Sequence, residues 1–386
     1  MARAYARAMP RRATKRGAAR TRLEGDYDVL VCGASFAGLA VARELTGSGA
    51  RTLVVDRYEI GERQTSACAM PTCWIEAMEL TPAIQQTFSR LVVHTPHGSA
   101  RWRLPWTFST FDYRTLCELL REQGSDAAFE TATVRGRTGA VVHTDRGDLR
   151  AGLIVDALGW RRVLGAGPGV QPPEAYLSRG LEVHPAGAGE DMELWIDRSY
   201  VRAGYAWSFP AARELRVGVG SFEPRHHVKK QTVRLAADLG VDAVRYQGNW
   251  IPHRIRPATD DGVFFAGDSA GHCLPTTAEG IRTALYFGLA CGRELRSVVE
   301  GASSREAALR RYHRFSAAHE WKFRWLLRVQ DWVPRVPPRQ LARVLRVLER
   351  RRLTDWAFRH YLDIAPPSFA APPRRRAGRA AVAAAA

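Results

Sequence analysis

The chain has 386 residues, of which 46% are hydrophobic, so it can form a large core and, at roughly 150 residues per domain, about two domains. No run of about 18 uncharged apolar residues occurs, and the sequence therefore predicts no membrane-spanning helix. Six cysteines are spread along the chain, several within apolar segments. This usage favours reduced thiols in the cytoplasm over a disulfide framework.

The net charge is +18, and arginine supplies nearly all of the positive charge. Much of it lies in two tails, 1–25 and 366–386, which are rich in Ala, Arg and Pro. Such a composition buries too little apolar surface to order itself, so both tails are predicted to be disordered. Because the charge concentrates there, we do not infer a nucleic-acid partner. No apolar stretch follows the N-terminal arginines, and no export signal is predicted.

The first structured segment predicts a strand, a glycine-rich turn, a helix and a second strand. Asp28–Cys32 is an apolar strand, and the turn that follows has Gly33, Ser35 and Gly38 at the positions of a G-x-G-x-x-G fingerprint. The first glycine allows the turn, a small second residue lets the backbone approach a pyrophosphate, and the third packs helix on strand. Asp56 ends the second strand about 20 residues on, the spacing expected for a ribose contact.

The middle of the chain alternates between two patterns. An amphipathic helix over 111–121 and strands over 133–157 continue the nucleotide-binding domain. The segments 91–108 and 178–222 show short alternating strands with turn residues between them, which predicts an antiparallel sheet. We assign 26–90, 109–165 and 250–300 to a discontinuous nucleotide-binding domain and 91–108 with 166–249 to a substrate domain.

A second nucleotide-site pattern lies near residue 267. Val263–Ala266 predicts a buried parallel strand, Gly267 a turn, and Asp268 an acceptor for hydroxyl groups. The segment from Pro275 to Gly280 leads into a helix, whose unpaired N–H groups and dipole favour partial negative charge. If parallel strands meet at one edge, both glycine-rich turns lie in one crevice.

The region 301–365 is predicted to be helical and basic. It carries four tryptophans among arginines: Trp321, Trp325, Trp332 and Trp356. These side chains either pack a helical domain or make a peripheral contact with a membrane. Both interpretations remain open at this point, and the sequence indicates no oligomeric state.

Two motifs resemble one known family. Tyr205–Pro210 reads Tyr-x-Trp-x-Phe-Pro and is followed by Gly218-Val-Gly220, and the segment from Gly267 to Ile281 contains Gly-Asp, Ala-Gly, Pro and Glu-Gly-Ile in order. Both resemble the geranylgeranyl reductase family of FAD-dependent oxidoreductases, which are relatives of the aromatic-hydroxylase-type flavoproteins. The resemblance covers roughly residues 26 to 292.

The resemblance implies an α/β fold: a Rossmann-like mixed sheet of the glutathione-reductase type, an inserted antiparallel β substrate domain and a C-terminal helical segment. It implies FAD as cofactor, bound by Gly33, Ser35, Gly38, Asp56, Arg57, Arg114, Gly267, Asp268, Pro275, Gly280 and Ile281. Arg114 is included because the hydroxylase relatives place an arginine at this helix start, where this chain has Tyr113 at the usual position.

The implied reaction is hydride transfer from reduced flavin N5 to a C=C bond of a prenyl-like apolar small molecule, with a proton added to the neighbouring carbon. Tyr205, Trp207 and Phe209 would form an apolar wall. Cys68, with Cys73 nearby, is a candidate proton donor or redox partner, although both are equally compatible with structural thiols. The spacing of cysteines indicates no metal site.

Alternatives remain at the level of sequence. Aromatic residues at period two also suit a strand that packs a core. His94, His97, His184 and His272 are further candidate proton donors, although a lone histidine is more often an ordinary hydrogen-bonded residue. Since no second dinucleotide fingerprint occurs, NAD(P)H would bind transiently or a reduced carrier protein would donate electrons. The other functions considered are a monooxygenase or halogenase of the aromatic-hydroxylase type and a non-catalytic FAD-binding protein.

Overall fold

The computed structural model describes residues 21–64, 66–166 and 177–371. Its strands are β1 (Gly25–Cys32), β2 (Thr52–Asp56), β3 (Ala69–Pro71), β4 (Ile84–Thr95), β5 (Gly98–Phe111), β6 (Ala128–Thr131), β7 (Val134–Thr138), β8 (Val141–Thr144), β9 (Gly147–Asp156), β10 (Leu177–Val183), β11 (Met192–Trp195), β12 (Gly204–Ala211), β13 (Glu214–Ser221), β14 (Gln247–Pro252), β15 (Thr259–Asp260) and β16 (Val263–Phe265). Its helices are α1 (Phe36–Leu45), α2 (Thr72–Ala77), α3 (Tyr113–Gln123), α4 (Lys229–Asp238), α5 (Ile281–Val299), α6 (Arg305–Ala317), α7 (Glu320–Trp332), α8 (Pro338–Val347) and α9 (Arg351–Leu362).

The first sheet is the predicted Rossmann-like sheet. Its order is β15-β16-β9-β1-β2-β6, with β7 and β8 attached beside β9. The central strands β16, β9, β1, β2 and β6 are parallel, so their carboxyl ends lie at one edge. Cys32 pairs with Val55 on one side and Asp156 on the other, which sets the glycine-rich turn beside the ends of β2 and β9. The predicted fold class is confirmed.

The second sheet is mainly antiparallel and has the order β14-β10-β13-β12-β11-β4-β5-β3. As predicted, the segments near 91–108 and 178–222 pair within one sheet, because β11 lies beside β4. The sheet also includes β3, the start of β4 at Ile84, and β14. The predicted domain boundaries at 91 and 249 therefore fall inside strands. Hydrogen bonds to neighbouring strands extend each strand beyond the segment whose residues alternate regularly. Local periodicity does not show these bonds, so it places the boundaries incorrectly.

Helices α6 to α9 follow the prediction of a C-terminal helical region. The predicted disordered tail begins too early, since Pro367–Ala370 form a 3-10 turn and Ala370 is fully buried. The ring of Phe369 lies 4.5 Å from that of Tyr286, and this aromatic contact orders the turn. The predicted N-terminal tail likewise extends too far, because Leu23 is buried. The rest of both predicted tails, 1–20 and 372–386, lies outside the described residues.

Close packing of α1 on α5 joins two helices that lie far apart in the sequence. A Cβ at Gly288 would lie 2.6 Å from the carbonyl oxygen of Ala37, and one at Gly292 would lie 3.0 Å from that of Val41. Gly267 also abuts α1, since its Cβ would lie 2.9 Å from that of Ala37. The absence of side chains at these glycines allows the backbones to approach. Within the described ranges, no helix combines the length and apolar character needed to cross a bilayer.

Candidate active site

A single cavity of about 1680 Å³ extends between the two sheets. Two sets of elements line it. The first end is defined as the α1 turn (Ser35, Phe36 and Ala37) with the segment before α5, from Thr276 to Ile281. The second end is defined as β12 with side chains of α7, α8 and α9, and the two ends meet where the Tyr205 hydroxyl contacts Thr277. The two glycine-rich motifs thus face one cavity, although they lie more than 200 residues apart in the sequence. This agrees with the prediction that both turns lie in one crevice.

The first motif is shaped by its glycines, which do not themselves line the cavity. Gly33 has φ +115°, and a Cβ there would overlap the carbonyl of Ala157. A Cβ at Gly38 would overlap the carbonyl of Gly33, so both positions require glycine. Ser35 lines the cavity, and its hydroxyl lies 3.2 Å from the Tyr113 hydroxyl.

Asp56 closes the same turn from the end of β2. Its carboxylate accepts hydrogen bonds from the backbone N–H of Ala34 at 2.8 Å and of Tyr58 at 3.0 Å. Burial raises the pKa of Asp56, and these N–H donors oppose that effect. Arg57 is exposed at the cavity edge, with its guanidinium 4.8 Å from the Tyr58 ring centre. The predicted pair Asp56 and Arg57 therefore lies beside the turn.

Asp268 and the N-terminus of α5 form the second motif. Asp268 lines the cavity, and burial raises its pKa to about 6 despite the nearby Arg256 guanidinium. Its Oδ1 would lie 3.7 Å from a Cβ at Gly280, which along with Ile281 also lines the cavity. Pro275, also predicted as a contact, is not among the lining residues, and its neighbour Thr276 takes that place.

The loop before α5 has a strained backbone. Thr276 has φ +68° and Ala278 has φ +53°, values that side-chain-bearing residues rarely adopt. The loop is held by α7, because Thr276 N–H donates to Gln330 Oε1 at 2.9 Å and the Thr276 hydroxyl donates to the Leu326 carbonyl at 2.8 Å. Such strain is typical of segments whose shape serves a site.

The aromatic motif and the Gly-x-Gly motif form one packing unit. Tyr205, Trp207 and Phe209 line the cavity from alternate positions of β12, whereas Ala206 packs in the core on the opposite face. Trp207 pairs with Gly218 on β13, and a Cβ at Gly218 would overlap the Trp207 ring. Gly218 is therefore required because the Trp207 ring lies against its strand.

Sequence reasoning missed Glu182, a buried carboxyl that lines the cavity beside this unit. Its Oε2 accepts a hydrogen bond from Trp207 Nε1 at 3.2 Å, and its Oε1 lies 2.9 Å from His184 Nε2. Periodicity gave no signal, because Glu182 alternates with Leu181 and Val183 as an outward-facing acid would, and only the structure shows that it is buried.

Several predicted residues do not reach the cavity. Arg114 is exposed and outside the lining, which corrects its assignment, because Tyr113 occupies the cavity-facing position at the start of α3. Cys73, His94, His97 and His272 also lie outside the lining; His272 is buried and stacks on Phe287 at 3.7 Å between ring centres. Cys68 does line the cavity, and burial raises the pKa of its thiol well above the usual value.

The C-terminal helices supply a wall that the sequence prediction did not place at this site. Arg282 of α5 is fully buried, donates to both carboxylate oxygens of Glu279 at 2.8 and 2.9 Å, and donates to the carbonyls of Leu362 and Ala365 at 3.0 Å. Tyr361 of α9 also donates a hydrogen bond to Glu279. This cluster fixes the end of α9 against the start of α5.

Comparisons with known proteins show what the chain is similar to. No protein-family model matches the sequence. The chain is 25% identical over 351 residues to digeranylgeranylglycerophospholipid reductase 3 of Methanosphaera stadtmanae, covering 79% of this chain and 86% of the relative. It is 26% identical over 330 residues to the digeranylgeranylglycerophospholipid reductase of Methanocaldococcus jannaschii, covering 75% and 81%.

Among solved structures, a geranylgeranyl bacteriochlorophyll reductase-like protein of Thermoplasma acidophilum matches with a TM-score of 0.78 at 17% identity, over 90% of this chain and 98% of that one. A probable FAD-dependent monooxygenase from Pseudomonas aeruginosa matches with a TM-score of 0.61 at 20% identity, over 87% and 100%. These likenesses show the fold, and the curated relatives match over most of their length. The chain is an FAD-dependent oxidoreductase that is similar, over most of its length, to reductases of geranylgeranyl compounds.

Proposed function

We propose that this enzyme reduces C=C bonds of a prenyl or similarly apolar chain. The observation that carries the proposal is one cavity that is lined both by two helix N-termini and by the aromatic side chains of β12. An isoprenoid offers few hydrogen-bonding groups, so an aromatic and aliphatic channel must recognise it by shape. The names of the curated relatives, which are reductases of geranylgeranyl compounds, support this substrate class.

The residues at the first end fit FAD. Helices α1 and α5 both begin at the cavity, where Phe36 and Ala37 on one side and Ile281 on the other present unpaired first-turn N–H groups to it. Glycine at positions 33 and 38 gives the α1 turn its tight shape, because a Cβ at either position would overlap a backbone carbonyl. When bound, FAD in its reduced form supplies the hydride for the double bond.

Each site residue then has a distinct role toward the cofactor. The turn at Gly33, Ser35 and Gly38 would receive the pyrophosphate, and Asp56 with Arg57 would hold the adenosine end. Residues Asp268, Gly280 and Ile281 would hold the other end, with Thr276 in place of the predicted Pro275. Arg114 is not part of this assignment.

At the substrate end, the ring faces of Tyr205, Trp207 and Phe209 would hold the apolar chain and exclude water from it. The Tyr205 hydroxyl donates to the Thr277 carbonyl at 2.7 Å, which ties this wall to the strained loop before α5. Cys68 lines the cavity, and its raised pKa keeps it as a neutral thiol.

The electrons would come from NAD(P)H bound transiently or from a reduced carrier protein, because no second dinucleotide fingerprint occurs in the sequence. Peripheral contact with a membrane is also part of the proposal. The four C-terminal tryptophans are 47% to 62% exposed, and all four also line the cavity. Exposed tryptophans between arginines suit the interface of an anionic bilayer, from which a lipid chain would enter.

The test uses the full chain reconstituted with FAD, reduced with dithionite without oxygen, and mixed with geranylgeraniol or geranylgeranyl diphosphate. We expect oxidation of the flavin and a product mass gain of about 2 Da for each reduced bond, the mass of the two hydrogens that a hydride and a proton add. Absence of a gain with any isoprenoid would contradict the proposal. NAD(P)H consumption that requires oxygen and yields a hydroxylated or halogenated product would instead favour the monooxygenase alternative, and a flavin that never turns over would favour a binding protein.

A further inference from the structure

Glu182 is a buried acid at the substrate end of the cavity. It lines the cavity directly beside Trp207, and its side chain is 4% exposed. Burying a carboxyl group costs free energy of folding unless the group is hydrogen-bonded or paired. Buried carboxyl groups in a cavity are therefore often functional. The Trp207 indole and His184 engage one carboxyl oxygen each, so the group has a fixed orientation.

His184 connects Glu182 to the surface. Its Nε2 lies 2.9 Å from Glu182 Oε1, and its Nδ1 lies 3.6 Å from Glu214 Oε1. Glu214 in turn contacts Arg245 at 3.2 Å, and the Arg245 side chain is 42% exposed. Burial lowers the pKa of His184, but the two carboxylates outweigh it and the net direction is upward. Glu182 and His184 therefore form a hydrogen-bonded pair whose far side connects through Glu214 to a partly exposed arginine.

Reduction of an isolated double bond requires such a proton. The other acidic groups that line the cavity, within the described part of the chain, are placed or engaged elsewhere: Asp56 accepts two backbone N–H groups, Glu279 is paired with Arg282, and Asp363 is exposed at the end of α9. Asp268 lies at the cofactor end, and the Tyr205 hydroxyl donates to a carbonyl. Glu182 combines a position at the aromatic wall with a proton-carrying neighbour that does not itself touch the cavity.

We propose that Glu182 donates the proton that completes reduction of the double bond, and that His184 resupplies it; the inference rests on the proposed function. One alkene carbon receives the hydride supplied by the reduced cofactor. At the other carbon a C–H bond forms as the carboxyl O–H bond of Glu182 breaks. The carboxylate then takes a proton from the His184 imidazolium, which regains one from solvent through the Glu214 side. The alkene gains two electrons and two hydrogens, and the flavin is oxidised.

The test compares wild type, Glu182→Gln and Glu193→Gln, each loaded with FAD, reduced with dithionite and mixed anaerobically with geranylgeranyl diphosphate. Glutamine keeps the shape and a hydrogen-bond acceptor for Trp207 but carries no acidic proton. Glu193 is the matched control, because it lies on β11 beside His94 and outside the cavity lining. We expect flavin oxidation in Glu182→Gln to be slower by about 100-fold or more, the usual share of a general acid, and Glu193→Gln to match wild type.

A second variant separates proton donation from the mere positioning of Trp207. In Glu182→Ala, acetic acid entering the vacated space should raise the rate of flavin oxidation in proportion to its concentration. A positioning role predicts no rescue, and slow oxidation without rescue would overturn the proposal. Wild-type rates in Glu182→Gln would also overturn it while leaving the proposed function intact. A wild-type enzyme that reduces no isoprenoid would remove the proposed function and this inference together.

If both Glu182 variants fail to bind FAD, His184→Asn provides the test, because it leaves the carboxyl in place. We expect its first turnover to match wild type and its later turnovers to slow, since the resupply of the proton is lost. Later turnovers at the wild-type rate would overturn the proposed relay.

Discussion

The cavity has two walls that are built in different ways. The wall formed by α1 and α5 is held by close contacts at Gly267, Gly288 and Gly292, and most residues of these helices are buried. The wall formed by α7, α8 and α9 has few fully buried residues and carries exposed tryptophans. The first wall is stabilised by close packing, whereas the second depends on a small apolar cluster of α8 with β4 and β5, which includes Leu341 and Leu345, and on a small number of polar contacts.

This difference suits the two tasks of the site. A cofactor that stays bound needs a rigid cradle, and close packing supplies rigidity. A long apolar substrate must enter and leave, and a wall held at few points can move with little loss of buried surface. The Arg282 cluster is the main point at which the second wall is fixed to the first.

The largest expected effect therefore comes from Arg282→Met. The change leaves Glu279 buried without its cation and removes the donors to the Leu362 and Ala365 carbonyls. Breaking a buried ion pair in this way costs about 3–5 kcal/mol of unfolding free energy. We expect a denaturant midpoint shift of that size, with the fluorescence of the C-terminal tryptophans changing at lower denaturant than the rest of the protein.

The matched control is the double variant Glu279→Gln with Arg282→Met, which removes both charges. We expect it to recover part of the loss, because no unpaired charge remains. If the double variant is as unstable as the sum of the two single variants, the ion pair is not what joins the walls.

The sequence predicted the first wall much better than the second. The turn at Gly33–Gly38 and the segment near Gly267 have local patterns whose chemistry allows few alternatives, and the structure brings them to one cavity. By contrast, Arg282 and Tyr361 meet only through tertiary packing, and a basic helical region with tryptophans is compatible with many arrangements. Glu182 was missed because apolar periodicity identifies buried positions only by their apolar residues, and an acid at such a position is taken as exposed.

The second prediction concerns the cofactor end of the packed wall. Burial raises the pKa of Asp268 to about 6, against an ordinary value of 3.8, so the native state binds this proton more tightly than the unfolded state does. Stability of the apoprotein should therefore fall as pH rises from 4 through 6, by up to about 3 kcal/mol from this group. Asp268→Asn removes the effect.

We expect thermal unfolding to show Asp268→Asn more stable than wild type at pH 8 and equal to it near pH 4. Without FAD present, the comparison isolates the buried charge. If the stability difference between Asp268→Asn and wild type is the same at both pH values, burial does not oppose ionisation of Asp268 in the native state. The cofactor end of the cavity would then be more open to water than the structure indicates.

A smaller effect is expected from Gly218→Ala at the aromatic wall, where the added Cβ would overlap the Trp207 ring. Such overpacking typically costs about 1–3 kcal/mol. The ring should tilt away from β13, with a change in near-ultraviolet circular dichroism and slower reduction of a prenyl substrate. Gly220→Ala is the matched control, because its Cβ would lie 3.3 Å from the same ring and needs only a slight adjustment. Equal effects of the two substitutions would argue against the close fit of Trp207 on Gly218.

The smallest effect on stability should come from the double variant Trp321→Ala and Trp356→Ala on the wall formed by α7, α8 and α9. These side chains are 62% and 58% exposed, so their loss should change the unfolding free energy by no more than about 0.5 kcal/mol. Binding to vesicles of phosphatidylglycerol and phosphatidylcholine, measured by cosedimentation, should fall because two interfacial anchors are gone. Val233→Ala, on α4 and 38% exposed, is a control that should bind as wild type does. Unchanged vesicle binding in the tryptophan variant would mean that the exposed wall faces water alone, so its loose construction would serve substrate entry from solution.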